Sequence, residues 1–317
     1  MFTIIEMEKK CYSIFSVAVW LLTAGFFGCT NTGSSQQSTD EAPYRKEEFK
    51  NYWYSGTAEI NSYRLQQSRY GETREGKAVL IFVTEDFSLK KQVKLDDPEK
   101  SSNDKVSVLK LNFTKNFVTG IYPYSMMLSV FTPVERNPFP NTLKTTMTGQ
   151  EWCGHIFTQL NLVNKKYRIQ SNSYFEKEGD QQSQLSLALL EDELWNLIRL
   201  DPDNLPIGEV KIIPGLFFTR LLHKELATLQ ATTSKKQEGD ETIYEISIPA
   251  SKRILSIRYA NKFPHQILGW EENFEERGKA VVTKAILDKT LRTDYWTKNK
   301  NQSIGLRDSL GLSHNNY

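Results

Sequence analysis

The hydrophobic pattern changes period three times along the chain. From Cys11 to Phe27 no residue is charged, Lys9 and Lys10 stand before the run, and Gly28-Cys29 closes it. The run carries Ile14, Phe15, Val17, Val19, Trp20, Leu21, Leu22, Phe26 and Phe27, which suits the apolar core of an export signal over residues 1–28. Glu6 and Glu8 precede the lysines, and a start at Met7 gives the cleaner Met-Glu-Lys-Lys. Residues 29–43, with TNTGSSQQSTDEAP after the cysteine, are small, polar and aperiodic. They predict a flexible tether of about 20 Å root-mean-square span.

From Tyr44 onward the period is mostly two. Tyr52, Tyr54, Ala58 and Ile60 share one parity, so residues 51–70 read as a strand that breaks at Tyr70-Gly71. Ala78–Val83 is apolar on both parities and reads as a central strand covered on both faces. Val106–Phe113 and Gly120–Val134 follow as strands, with a charged loop at 97–105 before them. Leu143–Met147 and Glu151–Val163 are two further candidates, or one strand bent at Gly149. Residues 165–176 give another, with its turn at Gly179-Asp180.

Leu187, Leu190, Leu194 and Leu197 then lie three and four apart. This predicts a helix over 187–200, with Ser186 as its N-cap and Glu191, Asp192 and Glu193 on the solvated side. Pro202 ends it. Strands resume at Glu209–Ile213, residues 216–233 read as extended, and Glu241–Ile248, Arg253–Asn261, Gln266–Phe274 and Lys279–Leu291 complete the set. The fold expected is mainly β: a large antiparallel curved sheet or half-barrel of about ten to twelve strands with one inserted helix. It occupies residues 44–298 as a single domain. Residues 299–317 form a polar tail that Leu306 and Leu310 can dock as one helical turn.

Composition narrows the function. The formal net charge is +2, and Glu6, Glu8, Lys9 and Lys10 cancel within the signal, so its removal leaves that value unchanged. A balance this near neutral, without a clustered basic run, speaks against a nucleic-acid partner. Of three cysteines, Cys11 leaves with the signal and Cys29 ends it, so Cys153 alone remains and no internal disulfide can form.

The candidate chemistry is sparse. In Trp152-Cys153-Gly154-His155, a strand puts Cys153 and His155 on one face, as an activated thiol or two zinc ligands require. No third group stands at a readable spacing, and His223, His265 and His314 are distant. Trp152, Ile156, Leu160 and Leu162 read as the core face. Tyr122-Pro123-Tyr124-Ser125-Met126-Met127 suits an adaptable apolar pocket. The carboxylates Glu59, Asp86, Glu151, Glu271 and Glu272 belong to no recognisable pair. No phosphate loop, G-x-S-x-G or H-E-x-x-H occurs. No cofactor, metal or catalytic residue is expected. Tyr122, Tyr124, Met126 and Trp152 are the candidate lining of a ligand site.

Phe26-Phe27-Gly28-Cys29 resembles a bacterial lipobox. The resemblance implies cleavage after Gly28, acylation of Cys29 and stable membrane anchoring by its acyl chains. An uncleaved membrane span and a plain secretory signal are the alternatives. By likeness to lipoproteins of the Bacteroidetes type, the first acid after the cysteine, at Asp40, implies the outer membrane with the domain facing the periplasm. The stretches YWYSGTAEINSY at 52–63, KLNFTKNFVTGIYPYSMM at 110–127, QEWCGHIFTQLN at 150–161 and LRDSLGL at 306–312 resemble an uncharacterised family of such lipoproteins. Sequences of this kind can carry the label of Maf septum-formation inhibitors. Maf proteins have an N-terminal Ser-x-Ser-Pro-Arg-Arg loop on an α/β fold, and neither feature is read here. A looser architectural likeness is to the half-barrels of LolA and LolB, which hold acyl chains between a curved sheet and a helical plug.

The expectation is a non-enzymatic, membrane-anchored envelope protein that binds an apolar ligand or acyl chain, with the 187–200 helix as plug. Its partners are membrane lipid through Cys29 and that ligand, or a protein of the envelope. The alternative is a structural component of an envelope complex with a filled core. The third reading is a hydrolase using Cys153 or a carboxylate pair.

Overall fold

The computed structural model describes residues 42–312. The signal, Cys29 and most of the tether fall outside those residues. Glu41–Tyr317 form one compact unit.

Alternation builds one curved, unclosed sheet of fifteen strands. The first run is β1 (Ala58–Arg69), β2 (Glu72–Ser88), β3 (Lys105–Thr119), β4 (Tyr122–Pro133), β5 (Lys144–Glu151), β6 (Gly154–Val163), β7 (Lys166–Ser173) and β8 (Gln181–Ser186). Each is antiparallel to its neighbour. The second run starts with β9 (Leu189–Leu190) and β10 (Gly208–Ile213), which pair in parallel. It continues antiparallel through β11 (Leu229–Glu238), β12 (Glu241–Ile248), β13 (Arg253–Ala260), β14 (Ile267–Glu276) and β15 (Lys279–Thr293). β15 pairs back onto β1, so the order runs β8 to β1, then β15 down to β9. The strands β8 and β9 are left as the two edges.

The concave face holds the core. On β3, Phe113 and Phe117 point inward, and on β4 Tyr124, Met126, Leu128 and Val130 do the same, all buried. Helices α2 (Leu194–Leu200) and α3 (Leu216–Leu221) fill the concavity. From α2, Trp195 packs edge-on to Phe113 and Trp270 at 5.3 Å each, while Asn196 donates to the Leu109 carbonyl at 2.9 Å. From α3, Phe217 meets Phe113 at 5.2 Å. Helix α1 (Glu47–Trp53) closes one end of the sheet with Phe49 and Trp53, four residues apart and both buried. Beneath it Arg199 grips Glu59 with two 2.6 Å bonds. Burial works against the Glu59 charge, but Arg199 outweighs it and holds the carboxyl below its ordinary range. Helix α4 (Gly305–Ser309) and buried Leu310 dock the C-terminal segment, in line with the helical turn expected there.

Five local expectations are corrected. The helix starts at Leu194, not 187: Ser186 ends β8, Leu189–Leu190 pair with β10, and Glu191–Glu193 form a 3-10 turn. Those three acids are buried, because their partners come from elsewhere in the chain: Arg253 for Glu191, the Leu216 N–H for Asp192, the Thr142 N–H for Glu193. Residues 216–221 are helical, and the strand begins only at Leu229. Residues 51–53 belong to α1, where Tyr52 and Trp53 face different surroundings than strand parity assigns. The turn between β5 and β6 falls at Trp152-Cys153 and not at Gly149, which turns Trp152 out of the core face onto an exposed tip.

Candidate functional site

The open seam of the sheet forms a cleft. β8 is mostly polar (QQSQLS), with Leu185 as its one apolar side chain, and β9 is two residues long. Between the concave face of β5–β8 and α3 lies a space of about 770 Å³. Its wall is set by register. Met147, Thr158, Ser171 and Gln181 form one row across β5, β6, β7 and β8. The next rows place Ile169 beside Ser183, and Ile156 beside Ser173. Each row therefore runs from apolar near the core to polar at the edge. Thr158 and Ser171 share a hydroxyl contact of 3.1 Å across it.

Helix α3 supplies the roof with Leu216, Thr219 and Arg220. His223 follows with φ +50°, the left-handed conformation that ends a helix, and its N–H bonds the Arg220 carbonyl at 3.2 Å. That turn sets the imidazole edge-on to Phe175 at 5.0 Å and its Nδ1 at 2.6 Å from Glu178 Oε1. The same Nδ1 also lies 3.2 Å from Arg220, so it sits between a guanidinium and a carboxylate. Ser173 Oγ donates to the other Glu178 oxygen at 2.5 Å. Arg220 donates to Glu151, lies 4.6 Å from the Phe175 ring centre and 3.6 Å from Glu178. Burial works to raise the Glu178 carboxyl, but the bonds from Ser173 and His223 and the Arg220 charge outweigh it, leaving it below its ordinary range.

The order of these three groups differs from that of a hydrolytic triad. A hydrolytic triad places the hydroxyl on one imidazole nitrogen and the carboxylate on the other. Here the Ser173 hydroxyl is spent on the carboxylate itself.

A second polar cluster fixes the roof from beneath. Arg253 donates to Glu191 at 2.5 and 2.6 Å and to Glu272 at 2.6 Å, with its guanidinium 4.1 Å from the Phe218 ring centre. Asp192 accepts from the Leu216 N–H at 3.2 Å where α3 begins. Burial, with the Glu191 charge beside it, pushes the Asp192 carboxyl up to about 8. Lys115 is buried against Phe217 and Phe113, and burial lowers its ammonium. Gly215 precedes α3 because a Cβ there would run into the Glu191 carboxylate.

The residues singled out by sequence are spread by the fold. Tyr124 and Met126 are buried on the concave face of β4, one strand inside the cleft wall, and Tyr122 is half-buried above them. Tyr124 stacks on Phe117 at 4.8 Å, and its hydroxyl meets that of Tyr70 at 2.9 Å. Trp152 lies apart, on a hairpin tip. Cys153 is exposed beside it, and no hydrogen bond joins it to His155 among the described residues. Glu59, Glu151 and Glu272 each hold a different arginine, while Asp86 faces Lys105 and Glu271 faces Lys284. Among the described residues no three metal-ligating side chains converge. Sequence reading missed Arg220, His223, Glu178 and the serines of β7. One signal was present: the parity Tyr167-Ile169-Ser171-Ser173 turns from apolar to polar along a single face.

Comparison with protein-family models, curated proteins and solved structures finds no match.

Proposed function

We propose that the protein is a membrane-anchored envelope lipoprotein that holds an amphiphile in the open seam of its sheet without chemical conversion. The observation that carries this is the polarity gradient of the cleft. Its floor of Met147, Ile156, Ile169 and Leu216 suits an acyl chain, and the hydroxyl, amide and imidazole groups at the edge suit a polar end. A volume of about 770 Å³ falls within the usual range for a small-molecule site, roughly 300–1,000 Å³. The sequence at Lys9–Cys29 supports the anchor, and the compact unit that follows suits a tethered receptor.

The test is native mass spectrometry of residues 41–317 prepared gently from a bacterial periplasm. A discrete extra mass that leaves on denaturation is expected. Ser171→Trp, which fills the wall from a half-buried position, lowers its occupancy at least tenfold. A clean unliganded mass in the unmodified protein refutes the reading. The second reading, an interaction component of an envelope complex, is favoured by a different observation: α2 and α3 fill the rest of the concavity, and large apolar side chains stand exposed at one end of the sheet.

A further inference from the structure

Hairpin tips in water are normally built from Gly, Asn, Asp, Ser and Pro. Three neighbouring tips at one end of this sheet keep Gly120, Gly154 and Gly179-Asp180 for their turns but also expose large apolar side chains. Ile121 closes β3–β4 at 82% exposure, Trp152 closes β5–β6 at 69%, and Tyr174 leaves β7 at 67%. The first two tips, Thr119–Tyr122 and Glu151–Gly154, carry no exposed charge, since Glu151 is buried against Arg220, whereas the third exposes Glu176, Lys177 and Asp180 beyond Tyr174. Down the convex face beyond Val118, the side chains of Met127, Phe157 and Tyr174 share an open groove of about 650 Å³ with Gln150, His155, Asn172 and Asp180. With strands ~4.8 Å apart, the tips stand in a row roughly 10 Å from one another.

We propose that this rim inserts into the interface of a lipid bilayer, with Ile121 and Trp152 entering the acyl boundary and Tyr174 at headgroup level. Indole and phenol suit that depth, one end apolar and the other wet. A convex row of separated side chains needs no matching relief in a fluid surface, whereas a protein hot spot fills a shaped pocket. The lack of charge on the first two tips selects zwitterionic lipid. Among the described residues the chain leaves the patch free. The described residues begin at Ala42 at the opposite end of the strands, where Tyr52 meets Glu59 and Tyr54 meets Ser107 at 2.9 Å. The other terminus departs near Asp288, part-way along β15.

Residues 41–317 contain one cysteine, Cys153, on the middle tip. An environment-sensitive fluorophore attached there reports insertion directly. With phosphatidylethanolamine–phosphatidylcholine vesicles, a blue shift, a several-fold rise in intensity and co-sedimentation are expected. Ile121→Asp with Trp152→Asp should weaken binding at least tenfold and leave the unfolding midpoint unchanged, because neither side chain is in the core. The mass bound in the cleft should stay in that double variant, which separates this proposal from the ligand reading. Absence of the shift, or vesicle binding that the double variant does not weaken, overturns the proposal. A concentration-dependent dimer abolished by the same variant also overturns it, by assigning the patch to a second copy of the chain.

Discussion

Asp192 shows how one side chain can tie stability to pH. Its carboxyl sits beside Glu191 and accepts from the first N–H of α3, and in that place it keeps its proton to about pH 8. An unfolded aspartate ionises near 3.9. The folded state therefore binds more protons between those values. The contribution is full below about pH 4 and is lost as pH rises through about 8, at up to roughly 1.4 kcal/mol per pH unit. Asp192→Asn removes the titration and keeps an acceptor for the Leu216 N–H. Urea unfolding at pH 5 and pH 8 should show the natural protein losing stability relative to the variant as pH rises. Parallel profiles would place the proton elsewhere among Lys115, Glu191, Arg253 and Glu272.

At the scale of elements, α3 is the piece on which the cleft depends. It is six residues long, far below the length at which a helix is stable alone, so its position comes from contacts. Gly215 is the narrowest of these. Its φ of −58° suits any residue, so the requirement is space and not backbone freedom. The Glu191 carboxylate that a Cβ would meet cannot swing away, because Arg253 holds both its oxygens. Gly215→Ala is expected to cost about 1–3 kcal/mol, read as a lower urea midpoint with unchanged slope. It should also loosen the roof and weaken retention of the cleft ligand. An unchanged midpoint would show that α3 is not clamped from this side.

For the whole molecule, the anchor and the domain are separable predictions. Cys29→Ala should release the protein from membranes into the soluble envelope fraction, as seen by fractionation and immunoblotting. Retention of the variant would favour an uncleaved span. Among the described residues no helix is long and apolar enough to cross a membrane. The domain-level architecture was readable in advance because strand parity is local: each of β10, β12, β13, β14 and β15 shows its alternation without reference to any other. The curved, mainly antiparallel sheet follows from many such segments. The largely polar edge strand β8 escaped, since the single apolar residue Leu185 gives no period to read. What the sequence could not decide is where charges and tips go. Glu191–Glu193 look solvated until Arg253, Thr142 and Leu216 arrive from distant segments, and Trp152 looks like core until the turn at Cys153 faces it outward. Periodicity is determined by neighbours within a few residues. Burial of a charge, the open seam between β8 and β9, and the pairing of β15 with β1 depend on partners brought together only when the sheet curves back on itself.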